Sequence, residues 1–71
     1  MIDYTPFWKT LADSKENWYT LTEKHGIGNY TLTRLKHNQD ISMQTLNKFC
    51  KIFNCQVQDL IQYIPDEVEK K

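Results

Sequence analysis

The segment NYTLTRLK, which begins at Asn29, carries side chains whose chemistry suits the edges of nucleic-acid bases. The amide of Asn29 can form a paired hydrogen bond with adenine, and the guanidinium of Arg34 can form one with guanine. The methyl groups of Thr31 and Thr33 can touch a thymine methyl group. Tyr30 can stack on a sugar, donate to a phosphate or reach a base. These side chains can act together only if one element holds them on an exposed face.

Helix signals recur along the chain and predict five short helices with brief connections. The signals are capping residues before apolar runs of helical spacing, and glycine or proline after them. The first predicted helix has Thr5 as its N-cap and Pro6 at its first position, and the second runs from about Trp18 to His25 after an Asn17 cap and stops at Gly26. The third runs from Gly28 or Asn29 to about His37. The fourth follows a Ser42 cap, and the fifth covers about Gln56 to Tyr63.

Length and composition predict a single all-α domain. The chain has 71 residues, of which 39% are hydrophobic, with only two glycines and two prolines. That content favours a compact bundle of five short helices over disorder or a turn-rich β fold. We expect residues 1–65 to form the domain and residues 66–71 to form a charged tail. Pro65 marks the boundary, since proline cannot continue a helix.

The second and third predicted helices form a helix-turn-helix. Short helices joined by a tight, glycine-containing turn are typical of that motif. It needs an apolar residue midway along its first helix, one in the turn and two on the inner face of its second helix. The sequence supplies Leu21, Ile27, Leu32 and Leu35 at these places. With these inside, the side chains of the opening segment face outward.

The stretch LTEKHGIGNYTLTRLKHN resembles the helix-turn-helix of the Cro/C1-type, lambda-repressor-like DNA-binding domains. The likeness extends to ISMQTLNKFCKIFNCQVQDLIQYIP, which resembles the fourth and fifth helices of that family, and to TPFWKTLADS, which resembles the first. It covers about residues 4 to 65. Two positions depart from the family pattern: Trp18 stands where glutamine is frequent, and Thr22 stands where alanine is preferred.

The resemblance implies specific contacts with double-stranded DNA. In helix-turn-helix proteins the second helix of the motif enters the major groove with its N-terminal end leading. The residues expected to contact bases are Asn29, Tyr30, Thr31, Thr33 and Arg34. The residues expected to contact phosphates, which position the protein without reading sequence, are Trp18, Lys24, Gly28, Lys36, His37, Asn38 and Lys48.

The distribution of charge agrees with a DNA-binding surface although the net charge is zero. Residues 24–51 carry five Lys and Arg against one Asp, whereas each flank carries two Lys against four Asp and Glu. One basic face of a small domain can attract phosphates. An ordinary solvated mixture of charges would give the same counts, so the pattern alone does not decide between the two interpretations.

The expected function is therefore that of a sequence-specific transcriptional regulator, and we expect a repressor. We expect it to come from a bacterium or phage and to be located in the cytoplasm. The alternative is a protein-interaction module, an antirepressor or adaptor, on the same fold. The sequence has no nucleophile with a supporting base, no phosphate loop and no metal-ligand set, so we expect no enzyme activity, cofactor, small-molecule substrate or membrane partner.

A homodimer on DNA is a further expectation. Operators of helix-turn-helix proteins are usually bound by two copies on half-sites about 34 Å apart. The apolar stripe of the fifth predicted helix offers two uses, as core or as a contact between copies. We expect Val57 and Leu60 in the core, and the sequence leaves both uses open for Tyr63 and Ile64.

Overall fold

The computed structural model describes residues 1–66, which form a helical bundle closed by a very small sheet. Within that range the elements are β1 (Ile2–Asp3), α1 (Thr5–Ala12), α2 (Trp18–Glu23), α3 (Asn29–Lys36), α4 (Met43–Phe53), a 3₁₀ turn (Val57–Asp59) and β2 (Gln62–Tyr63). The strands β1 and β2 pair antiparallel, with Ile2 opposite Tyr63. Residues 67–71 of the predicted tail lie outside the described residues.

The core is a cluster of apolar side chains contributed by every helix. Aromatic rings pack at its centre: the Phe7 ring centroid of α1 lies 4.9 Å from that of Phe49 in α4, in an edge-to-face arrangement. Such pairs add to the stability that comes from burying their area. The buried apolar residues are Tyr4, Phe7, Leu11, Leu21, Ile27, Leu32, Leu35, Leu46, Phe49 and Leu60. Four of them, Leu21, Ile27, Leu32 and Leu35, come from α2, the turn after it and α3, so the helix-turn-helix packs directly on the core.

Local capping accounts for where α2 and α4 begin. The Asn17 side chain accepts a hydrogen bond from the Thr20 backbone N–H at 2.9 Å, and the Thr20 hydroxyl accepts one from the Asn17 N–H at 2.8 Å. This reciprocal pair is a capping box, which satisfies donors that the first helical turn leaves free. At α4 the Ser42 hydroxyl accepts from the Thr45 N–H. Both predicted caps are confirmed.

The start of α1 differs from the prediction by one residue. The helix begins at Thr5, so Thr5 is inside it and Pro6 occupies the second helical position. The residue before the helix, Tyr4, makes no capping bond with its side chain. The Thr5 N–H instead donates to the carboxylate of Asp3 at 3.2 Å. A carboxylate near a helix N-terminus is also favoured by the helix dipole.

The fifth predicted helix is wrong, and so is the all-α assignment in its strict form. The segment forms the 3₁₀ turn Val57–Asp59 and then strand β2, where Gln62 and Tyr63 pair with β1. Leu60 is buried as predicted, but the side chain of Val57 is 45% exposed. The spacing of apolar residues fits a short helix equally well. The strand forms because its partner is the N-terminal end of the chain, which no local pattern reveals.

A buried carboxylate joins three distant parts of the chain. Asp3 accepts hydrogen bonds from the side-chain amides of Gln62 at 2.8 Å and Asn38 at 3.2 Å, besides the Thr5 N–H. The Asn38 amide oxygen in turn accepts from the Tyr4 N–H at 3.0 Å. The bonds from Gln62, and next from Thr5, lower the pKa of Asp3 to about 2. Asp3 therefore stays ionised and ties both sheet strands to the end of α3.

Two features of residues 1–66 bear on the class of protein. None of the described helices combines the length and the apolar character that crossing a membrane requires. In the same range no group of three or more His, Cys, Asp or Glu side chains is arranged to hold a metal ion. Cys50 and Cys55 are free, half-buried thiols, and burial raises the pKa of the Cys55 thiol.

Candidate nucleic-acid interface

Four buried residues fix the position of α3 across α2. Leu21, Ile27, Leu32 and Leu35 are each no more than 5% exposed, as the helix-turn-helix prediction requires. The chain turns between the helices at Gly26, whose φ of 71° is in the left-handed region that favours glycine. Because α3 is anchored by its inner face, its outer face is presented to solvent.

The outer face of α3 carries most of the predicted base-contacting residues. Asn29, Tyr30 and Thr33 are exposed, whereas Thr31 and Arg34 are half-buried. Gly28 precedes the helix with extended backbone, and no side chain caps this end. The first backbone N–H groups of α3 therefore remain available to donate to a partner outside the helix. We call the exposed side chains of Asn29, Tyr30 and Thr33 the polar ridge. The first N–H groups of α3 lie at one end of this ridge.

Trp18 orients the amide of Asn29. The indole Nε1–H donates to Asn29 Oδ1 at 2.7 Å, which joins the first residue of α2 to the first residue of α3. Indole N–H is only a donor, so the amide oxygen must face Trp18 and the amide nitrogen must face away. The Trp18 ring also stacks on Trp8, with centroids 6.2 Å apart and planes 21° apart. The amide of Asn29 is thus held by a side chain that is itself fixed by packing.

Arg34 is engaged by the protein itself. Its Nε–H donates to the backbone carbonyl of Asp40 at 2.7 Å, and Nη1 donates to the Tyr30 hydroxyl at 3.2 Å. Its Cζ lies 5.5 Å from the centroid of the Tyr30 ring, within the range of a cation–π contact. The sequence reveals that Tyr30 and Arg34 share a face, because they are four residues apart. The sequence does not reveal that the backbone carbonyl of Asp40 also binds Arg34.

Lys36 lies on the other flank of α3. Residues two apart on a helix point to nearly opposite sides, and Arg34 leans towards the loop before α4. Lys36 instead lines an open depression of about 450 Å³ together with Trp8 and Trp18. A cation therefore stands on each side of the polar ridge. The sequence does not reveal that Trp8 belongs to this surface, because its spacing with Phe7 and Leu11 indicates core.

The other residues predicted to contact phosphates belong to different parts of the bundle. Lys24 follows the last residue of α2, His37 follows the last residue of α3, and Lys48 is in α4; all three are exposed. Asn38 differs, because its amide oxygen and nitrogen are bonded to the Tyr4 N–H and the Asp3 carboxylate. Its backbone has a φ of 54°, so it also forms the turn after α3. Asn38 is a structural residue in this fold.

The chain is similar to known proteins in both sequence and fold. The model of the Cro/C1-type HTH DNA-binding domain family matches residues 7–66. A crystal structure of the transcriptional regulator VanUg superposes with a TM-score of 0.80 at 29% sequence identity, over 92% of this chain and 87% of that one. A search of curated protein sequences found no match. The family match spans the whole helix-turn-helix and the segment after it.

Proposed function

Because the chain belongs to the family of Cro/C1-type helix-turn-helix DNA-binding domains, we propose that it is a transcriptional regulator that reads double-stranded DNA with α3. The observation that carries the proposal is the orientation of α3. Leu32 and Leu35 are buried while Asn29, Tyr30 and Thr33 are exposed, so the polar side chains form the free face of a braced helix. A recognition helix in the major groove requires that arrangement.

Bases are contacted by the polar ridge. Asn29 presents its amide nitrogen outward and suits an acceptor on a purine edge, and Tyr30 offers a hydroxyl. Thr33 lies at the middle of the exposed face, where its methyl group suits thymine. Thr31 is half-buried and contributes its hydroxyl at the edge of the ridge. These four residues, with the first N–H groups of α3, are the proposed reading surface.

Phosphates are contacted by residues around the ridge. The proposed set is Lys24, Gly28, Lys36, His37 and Lys48. Their exposure and their places at the ends of α2 and α3 and along α4 support this assignment. Phosphate contacts of this kind fix the protein on the duplex and contribute the salt dependence of binding. Trp18 and Asn38 are left out, since their polar atoms bond within the protein.

The test is an NMR titration of the labelled protein with a duplex selected from a randomised pool, at low salt. Groove entry by α3 shifts resonances of residues 28–37 most, and a scrambled duplex produces smaller shifts of the same residues. Shifts restricted to the segment 57–64, or identical affinities for selected and scrambled duplexes, contradict sequence-specific reading by α3.

Repression and pairing of copies are the finer parts of the proposal. A bound domain covers its site, and occlusion of a promoter needs no contact beyond DNA binding. Two copies on half-sites about 34 Å apart would give the specificity that one eight-residue helix does not. Tyr63 and Ile64 are exposed, which leaves them available for contact between copies. Sedimentation with one and two half-sites, and a promoter reporter, test the two parts separately.

A protein-interaction module is the second candidate function. Tyr19 and Tyr30 are 70% and 72% exposed, and exposed aromatic residues are frequent at protein–protein contacts. The candidate predicts that the chain fails to bind any duplex from the randomised pool while it retains its fold. Selection of a preferred duplex with a measurable salt dependence argues against it.

A further inference from the structure

We propose that Arg34 is a positioning residue that acts through Tyr30, and that the Tyr30 hydroxyl makes the contact with DNA. The inference rests on the proposed function and changes the role expected of Arg34 from its residue type. Arginine in a recognition helix is the usual partner of guanine. In this chain the guanidinium is turned away from that task by two partners inside the domain.

Two of the five N–H groups of the Arg34 guanidinium are engaged by partners inside the domain. Paired recognition needs two N–H groups of the guanidinium directed together at the base. Here Nε–H is given to the Asp40 carbonyl at 2.7 Å and Nη1 to the Tyr30 hydroxyl at 3.2 Å. Arg34 is also half-buried, so reaching a base would uncover both partners. A guanidinium that turns towards a base must therefore break two hydrogen bonds that it already makes within the domain.

The same contacts prepare Tyr30. The guanidinium donates to the Tyr30 oxygen, so the hydroxyl hydrogen is free to donate in turn. A hydroxyl that accepts from a cation becomes a stronger donor, because hydrogen bonds in a chain polarise one another. The ring is held by the cation 5.5 Å from its centroid, while 72% of the residue remains exposed. Tyr30 therefore combines a fixed orientation with an outward-facing donor.

The ligand chemistry is a hydrogen-bond acceptor on the duplex. Such an acceptor is supplied by a phosphate oxygen or by a base edge. The two sources give different patterns in a binding assay: loss of a phosphate contact weakens binding to all sequences alike, whereas loss of a base contact weakens preference at one position. Holding the side chain in place before binding lowers the ordering cost of that contact.

The experiment is a double-mutant cycle on a selected duplex with Tyr30→Phe, Arg34→Lys and both changes together. Tyr30→Phe removes only the hydroxyl. Arg34→Lys keeps the charge but loses the planar fork that serves Asp40 and Tyr30 at once. Each single change is expected to weaken binding by about three- to tenfold, the size of one lost hydrogen bond. The affinity of the double variant is expected to equal that of the single variant that binds more weakly. The slope of log affinity against log salt concentration is expected to stay unchanged.

Three results overturn the proposal. The first is a double variant whose loss equals the product of the two single losses, which means that the residues act independently. The second is an Arg34→Lys variant that loses preference at a base pair where Tyr30→Phe keeps it, which means that Arg34 reads that base directly. The third is wild-type affinity in Arg34→Lys, which means that charge alone matters. Failure of the unchanged protein to bind any duplex overturns the proposed function itself, whereas these results leave it standing.

Discussion

The side chain of Asn29 shows how one residue can be prepared for recognition by another. Its amide oxygen is bonded to the indole of Trp18, so its donor end faces away from the protein. An unbraced asparagine on a helix surface samples several rotamers and loses that freedom when it binds. In the proposed complex, the bond to Trp18 removes part of this cost before DNA binds, and affinity rises only if Asn29 contacts the duplex.

Replacement of Trp18 by Phe tests the bracing at the level of one hydrogen bond. The change removes the N–H and keeps an aromatic ring beside Trp8. We expect affinity for the selected duplex to fall about three- to tenfold, with little change for a scrambled duplex. Fluorescence anisotropy measures both affinities. Trp8→Phe, which keeps the Trp18 N–H, is the matched control. Equal losses on the two duplexes would show that Trp18 has only a structural role.

Replacement of Lys36 by Ala tests a phosphate contact on the flank of α3. Removing one contact weakens binding to every sequence and lowers the slope of log affinity against log salt by about one unit. Anisotropy titrations at several salt concentrations measure the slope. Lys9→Ala removes the same charge beside Asp13 and Asp59, away from α3, and should leave the slope nearly unchanged. If Lys36→Ala and the unchanged protein have the same slope, Lys36 does not contact a phosphate.

At the scale of elements, the position of α3 depends on a helix of only six residues. The helix α2 is too short to be stable by itself, so its cap and its buried Leu21 must hold it in place. The capping box supplies partners for the first-turn N–H groups from Asn17 and Thr20. Loss of the cap should therefore act on the whole helix-turn-helix.

Replacement of Asn17 by Ala is expected to lower the free energy of unfolding by about 1 kcal/mol. The alanine cannot accept the hydrogen bond from the Thr20 N–H, and the start of α2 then frays. Chemical denaturation followed by circular dichroism gives the value. Asn17→Ser retains an accepting oxygen at the same position and should recover most of the loss. If serine and alanine destabilise the domain equally, the cap does not stabilise α2 as the structure indicates.

At the scale of the whole molecule, the carboxylate of Asp3 closes the fold. Its partners Gln62 and Asn38 are 59 and 35 positions away in the chain, and it also pins the N-terminus of α1. A domain of this size buries a limited share of its surface, so a contact that connects both ends to the core has a large effect on cooperativity. The closure depends on the ionised form, because the carboxylate accepts each of these bonds.

The pH dependence of stability follows from the pKa of Asp3. Its pKa falls from an ordinary 3.8 to about 2 on folding, mainly through the Gln62 hydrogen bond. The unfolded chain therefore takes up the proton first as pH falls. The stabilising contribution is complete above the ordinary pKa and is lost as pH falls towards 2. Thermal unfolding between pH 2 and 5 measures this effect. The Tm of the unchanged protein should exceed that of Asp3→Asn by less at pH 2 than at pH 5.

The exposed carboxyl of Asp13 provides a control for this experiment. Asp13→Asn should reproduce the steep acid dependence of the unchanged protein, since it leaves the bonds of Asp3 in place. If Asp3→Asn loses stability with acid as steeply as the unchanged protein, then Asp3 does not contribute to the pH dependence.

The sequence by itself determined the parts of this protein whose causes are local. The caps at Asn17 and Ser42, the glycine turn at Gly26 and the inward placement of Leu32 and Leu35 each depend on residues within one or two helical turns. The same local pattern was enough for the family assignment, because the helix-turn-helix is contiguous in the chain. The polar residues of the outer face followed once the inner face was known.

Only the tertiary structure decided how the ends of the chain pair and which partners the side chains of the proposed interface have. Strand β2 exists because β1 pairs with it from the other end, and helical spacing in a short apolar segment could not reveal that partner. The roles of Trp18, Arg34 and Asn38 likewise depend on an amide, a carbonyl and a carboxylate that folding brings to them. A residue type states which hydrogen bonds are available, but the fold determines which of them remain free for DNA.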